Sequence, residues 1–208
     1  MKHFYEGKPT LVTGGLGFIG SNLAIRLLEL GARVLVVDSL IPETGANSFN
    51  IEPIQDHSRL SVRTVDVRDV LAMERLVRGQ ELIFNLAGQV SHIDSMEDPF
   101  TDLEINCRSQ LALLEACRRN APRAKVLFAS TRQIYGRVPE EQLPPDERQP
   151  PNPVDVNGIN KLAGERYHVL YNNVYGIHTS VFIVRNALHW CRNRAALADL
   201  DTLFISTM

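Results

Sequence analysis

Hydrophobic and polar positions change their period several times along the chain. Residues 9–12 and 32–37 are short apolar runs with little alternation, the pattern of strands covered on both faces. Between them Ile19, Leu23, Ile25, Leu27 and Leu28 recur at helical spacing until Gly31 ends the run. Further strands are expected over 60–65, 81–85, 126–129 and 179–184, and helices over 69–78, 100–119 and from 156 to about 172. Strands alternating with helices predict an α/β chain with a doubly wound parallel sheet of about six or seven strands, in the order 3-2-1-4-5-6. The first eight residues read as a loose polar leader, 39–58 as a long surface loop, and the proline-rich 139–153 as a loop of the domain rather than a linker. The chain divides into one domain over 1–184 and a tail over 185–208, too short to be a domain itself.

At the first strand-to-helix junction stand Gly14, Gly17 and Gly20. Gly14 permits a tight turn, Gly17 lets backbone approach a pyrophosphate, and Gly20 lets the new helix pack closely on the strand. With Phe18 and Ile19 they open a helix whose free N–H groups and positive dipole end suit phosphate. The second strand ends in Asp38, about 20 residues on, where a Rossmann dinucleotide-binding fold places the carboxylate that takes ribose hydroxyls. That carboxylate favours NAD over NADP, because it repels a 2′-phosphate, and Arg33 is badly placed to rescue it.

A net charge of −2 offers neither nucleic acid nor an anionic membrane a basic face. The cluster of Arg118, Arg119, Arg123 and Lys125 reads as a solvated helix end. The three cysteines have no metal-binding spacing, and no metal is expected. Cys107 and Cys117 share one expected helix about 15 Å apart along its axis, too far to bridge. With no signal peptide and no apolar run near the roughly 18 residues of a membrane span, a soluble protein of a reducing cytoplasm is expected.

More landmarks follow the glycines. Asp66-Val67 follows the third strand and Leu86-Ala87-Gly88 the fourth; Ser130, Thr131 and Tyr135-Gly136 follow the fifth; Pro153, Gly158, Lys161 and Glu165 mark the last helix. With the GxxGxxG spacing, the chain from about residue 9 to about 181 resembles the extended short-chain dehydrogenase/reductase family, specifically its NAD-dependent nucleotide-sugar epimerases and dehydratases. The resemblance implies that Asp66 and Val67 line an adenine pocket, although Asp66 also reads as the N-cap of the next helix. It implies that Leu86, Ala87 and Gly88 run beside pyrophosphate and ribose, that Asn106 holds backbone near the active site, that Thr131 is the catalytic hydroxyl, and that Lys161 binds the nicotinamide ribose. Dehydratases of the family carry acidic residues where this chain has Arg132 and Gln133, which cannot act as acid or base near neutral pH, so the reading tilts to an epimerase. Helices 100–119 and 156–172 pair across a twofold axis in related proteins, implying a homodimer. A nucleotide sugar is the implied small-molecule substrate.

The pattern breaks at two places. Four residues before the lysine the family carries a tyrosine, and this chain has Asn157. Bringing a phenol of pKa about 10 to pH 7 requires roughly 4 kcal/mol, which a cation such as Lys161 helps supply. An amide has no such proton. Either another group serves as base, with Tyr135, His92 or a water on Lys161 as candidates, or the protein binds cofactor without turnover, as a sensor or remnant, or an unfamiliar substrate sends its proton elsewhere. The second break follows Phe182, where the family continues into a substrate lobe of on the order of 100 residues. Two explanations stand side by side: truncation or frame shift of a longer ancestral gene, and a short variant whose helix at 187–200 covers the sheet edge.

Overall fold

The computed structural model describes residues 2–42, 45–143 and 148–184. The tail over 185–208, including the helix expected at 187–200, lies outside the described residues. Six parallel strands form one sheet: β1 (Pro9–Thr13), β2 (Arg33–Asp38), β3 (Leu60–Thr64), β4 (Leu82–Asn85), β5 (Lys125–Thr131) and β6 (Thr179–Val184). Their order is β3-β2-β1-β4-β5-β6, the doubly wound order the alternation predicts. Thr13 at the end of β1 therefore stands between Val37 and Asn85, and the order reverses beside it.

Neighbouring residues on each strand enter different cores, because side chains alternate across a pleated sheet. Val12, Val36, Phe84 and Leu127 pack on one side with α2 (Phe18–Glu29). Leu11, Val37, Ile83 and Val126 pack on the other, against α3 (Val70–Leu76), α6 (Ser109–Asn120) and α7 (Val156–Tyr175). Both faces are dry, and this is why the central strands read as unbroken apolar runs. Strand β3, at the sheet's edge, leaves Ser61, Arg63 and Thr64 exposed.

Three segments differ from the sequence expectation. The leader is not loose. It forms the short helix α1 (Lys2–Tyr5), whose Tyr5 is fully buried in the first core, while Gly7 N–H donates to Gly31 O at 2.9 Å. Within the expected surface loop a 3-10 turn (Ser48–Ile54), capped by Asn47, buries Ile51 in the same core. The long helix at 100–119 is three pieces: α5 (Pro99–Leu103), a π turn (Glu104–Arg108) and α6, preceded by the unexpected α4 (His92–Glu97). The wide turn brings Asn106 O against α7, where a Cβ on Gly164 would lie 2.9 Å from it.

Two of the exposed cations at the end of α6 are also paired. Arg118 and Arg119 donate to Glu115, and Tyr171 of α7 donates its hydroxyl to Glu115 at 2.7 Å. These bonds, Arg118's foremost, hold the Glu115 carboxyl down to about 2. Deeper in α7, His168 donates Nδ1–H to Gly164 O at 2.8 Å and stacks on Phe128. Burial brings this imidazole down to about 4, so it is a neutral core side chain. No helix among the described residues is long and apolar enough to cross a membrane.

Candidate active site

The sheet's carboxyl ends form the site, and the glycine turn is its floor. Gly14 sits at φ 65, and a Cβ there would lie within 3.0 Å of the Leu86–Ala87 backbone. A Cβ on Gly20 would lie 2.2 Å from Gly14 O, so a hydrogen is all that this helix–turn contact admits. Gly17 is the extended N-cap of α2, and among the described residues no side chain caps that helix. Its first turn, with Phe18 exposed and Ile19 half-buried, keeps its N–H groups for an external acceptor. Asp38 at the end of β2 accepts Leu16 N–H on one oxygen and Leu40 N–H on the other, each at 3.0 Å. Leu40 reaches that bond at φ 53, the strained left-handed region.

Asp66 is not a helix cap. Asp69 caps α3 by accepting Ala72 N–H, while Asp66 holds Arg68 through both oxygens. The Arg68 guanidinium keeps the Asp66 carboxyl below its ordinary value. Val67, beside it, packs against the second core.

A buried polar chain crosses the sheet ends. Leu86 N–H and Ala87 N–H, each at 3.1 Å, donate to Thr13 Oγ1, whose own hydroxyl donates to Asn85 Oδ1 at 2.9 Å. Asn85 Nδ2 then donates to Gln110 Oε1, and Gln110 Nε2 to Ile105 O at 3.0 Å. Ser109 Oγ donates to the same carbonyl, in the π turn. The backbone beside Gly88 is thus fixed in register with the glycine turn.

On α7 the register brings Asn157 and Lys161 to one face, as the spacing of four predicts, and adds Asn160 to it. The group they meet was not anticipated: Asp102 of α5, fully buried. Asp102 Oδ2 accepts Asn106 Nδ2 at 2.9 Å and Asn157 Nδ2 at 3.0 Å, while Oδ1 accepts Asn160 Nδ2 at 2.8 Å. Asn106 and Asn157 each also donate to Gln89 O. Both amide protons of Asn157 are therefore given to protein acceptors. The one sequence signal for this cage is Asp102 standing a single turn before Asn106. Lys161 Nζ donates to Ala129 O at 3.2 Å. Burial lowers the Lys161 ammonium to about 8, against the opposing attraction of Asp102. A Cβ on Gly88 would lie 2.6 Å from Lys161 Nζ and 2.9 Å from Asn106 Oδ1, a buried atom that no donor among the described residues reaches.

Thr131 ends β5, and its hydroxyl both donates to Gln133 Oε1 at 3.2 Å and accepts Gln133 N–H. Ser130 instead donates to Glu165 Oε2 at 3.2 Å, and burial raises that carboxyl. Tyr135 is buried. Between Thr131 and Tyr135, Arg132 is exposed.

Most of the chain is similar to known proteins. Residues 10–189 match the model of the NAD dependent epimerase/dehydratase family. The chain belongs to this family. It is similar to the UDP-glucose 4-epimerase of Mycolicibacterium smegmatis, 34% identical over 172 residues that make up 82% of this chain and 53% of that one. The CDP-paratose 2-epimerase of Salmonella typhi is 31% identical, over 83% of this chain and 55% of its own. Among solved structures, the Thermus thermophilus UDP-glucose 4-epimerase in complex with NAD matches with a TM-score of 0.73 and 37% identity, over 85% of this chain and 54% of that one. The chain spans about half the length of these epimerase/dehydratase relatives. What it covers is the sheet, its flanking helices and the loops at the strands' carboxyl ends.

Proposed function

We propose that the chain forms the NAD-binding part of an epimerase-like oxidoreductase acting on a nucleotide sugar, with reversible hydride transfer between nicotinamide and a sugar carbon. The observation that carries this reading is the uncapped N-terminus of α2 above a glycine cradle that a methyl group would fill. A dinucleotide fits the residues present. Gly14, Gly17, Gly20, Phe18 and Ile19 hold its pyrophosphate, Asp38 the adenosine ribose, and Asp66 and Val67 flank the adenine. Leu86, Ala87 and Gly88 border the second ribose, whose hydroxyls Lys161 binds. Once bound, the nicotinamide supplies a reversible hydride acceptor. Thr131 turns from Gln133 to hydrogen-bond the sugar oxygen, and Asn157 steadies the Gln89 backbone through its amide.

In a calorimetric titration the protein is expected to bind NADH in the micromolar range and NADPH at least about tenfold more weakly, a difference of about 1.4 kcal/mol. Binding of neither by the folded protein removes the reading. Equal binding removes the role of Asp38.

A second reading, cofactor binding without turnover, is favoured by one observation: the Asn157 amide is spent on Asp102 and Gln89 O. Appearance of NADH absorbance on mixing the NAD+-loaded protein with UDP-glucose separates the two.

We also propose a homodimer. Helices α4, α5 and α7 carry exposed apolar side chains, among them Ile93, Phe100, Leu103, Ile159 and Val174. Sedimentation at tens of micromolar is expected to give a dimer, and a monomer there excludes it.

A further inference from the structure

The inference here rests on the oxidoreductase reading and concerns the proton that must leave when a sugar hydroxyl is oxidised. Thr131 is a neutral hydroxyl, Arg132 a guanidinium, and Gln133 and Asn157 are amides, none of which accepts a proton near neutral pH. Lys161 is buried with Nζ donating to Ala129 O, and with a pKa of about 8 most of it already carries its proton at pH 7.

We propose that His92, oriented by Asp155, is the catalytic proton acceptor of this site. His92 opens α4, just beyond the loop that leaves β4. Its Nδ1 lies 3.0 Å from Asp155 Oδ2. A carboxylate only accepts, so in the neutral ring Nδ1 carries the hydrogen and Nε2 keeps its lone pair. Asp155 is nearly buried, and its other oxygen accepts Gly158 N–H at 2.6 Å as the N-cap of α7. The helix end holds the carboxylate and the carboxylate holds the ring, the base-and-orienter relation of hydrolase triads. Ser95 Oγ fixes the backbone of His92 by donating to its carbonyl at 2.7 Å. The side chain is 57% exposed, so the ring's free edge is open to a ligand.

The position fits the missing phenol. Asp155 precedes Asn157 by two residues, and Asn157 donates to Gln89 O, three residues before His92. Both contacts tie the His92 segment to the first turn of α7, the turn that holds Asn157. In the oxidation the hydroxyl O–H bond breaks and its proton goes to His92 Nε2. The adjacent C–H bond breaks with its electron pair leaving as hydride for an oxidised nicotinamide dinucleotide, and a carbon–oxygen double bond forms. In the return step the imidazolium gives the proton back.

Carbethoxylation by diethyl pyrocarbonate, followed by mass spectrometry of the peptide containing His92, tests the placement without relying on turnover. His92 is expected to react in the free protein and to be slowed about tenfold when NAD+ and UDP-glucose are present at ten times their Kd. An unchanged rate puts the ring outside the cleft and overturns the proposal. The His92→Gln variant keeps a donor for Asp155 but has no proton-accepting nitrogen. It is expected to retain the wild-type Tm and NADH affinity while NADH formation from UDP-glucose falls by about 10²–10⁴-fold. Wild type and variant behaving alike, both active or both silent, overturns it. Loss of NADH binding by the wild type would instead fail the oxidoreductase reading itself.

Discussion

Gly20→Ala is expected to abolish NADH binding and to destabilise the fold by about 3 kcal/mol, the upper part of the range for overpacking. The new methyl group would lie 2.2 Å from Gly14 O and 2.6 Å from Gly15 Cα. Both are backbone atoms of a turn pinned between β1 and α2, so no rotamer change relieves the contact. Relief requires α2 to lift off the sheet, which withdraws its N-terminus from the cradle. Gly17→Ala is the comparison for folding alone, because there the nearest atom, Gly14 O, is 3.3 Å away and has only a few tenths of an ångström to give. It should fold with near-wild-type stability. Urea unfolding and NADH calorimetry on both variants check the pair, and a Gly20→Ala protein that binds NADH normally would show that the cradle geometry does not carry cofactor recognition.

Replacing Asp102 by Ala is expected to destabilise the protein by about 3–5 kcal/mol, the range for removing one partner of a buried charged network. Asn160 Nδ2 loses its carboxylate acceptor, and Asn106 and Asn157 keep only Gln89 O. Lys161 loses the opposite charge that favours its protonated form. Asp102→Asn, nearly identical in shape, should also destabilise, because its NH2 replaces one of the two oxygens and faces at least one of the three amide donors. Chemical denaturation measures both. A loss under about 1 kcal/mol for each would show that the cage does not hold α5 to α7.

The strand order and the glycine cradle were legible in the sequence because they depend on period and on glycine, which leave marks within a few residues. The features that were hidden depend on partners far apart in the chain. Asp102 stands out only once α7, from far along the chain, lays Asn157 and Asn160 across it. Asn157 reads as a damaged catalytic residue until Gln89 O and Asp102 explain why an amide fits there. His92 looks like one loop histidine among six in the chain, and only the approach of Asp155 distinguishes it. The π turn escapes periodicity altogether. Its carbonyl at Ile105 is met by Ser109 and Gln110, polar residues that read as the outer face of a regular helix.

Thr13, Asn85, Gln110 and Ile105 O form a relay in which each side chain offers the next the donor or acceptor that it lacks. Such a relay has a polarity, like a row of keys cut in sequence. Gln110→Glu still offers Asn85 Nδ2 an acceptor but turns its second oxygen toward Ile105 O, so the mismatch falls on the π turn. A change at one of these positions therefore calls for a matching change at its neighbour, so the backbone beside the cleft is held by side chains set back from it.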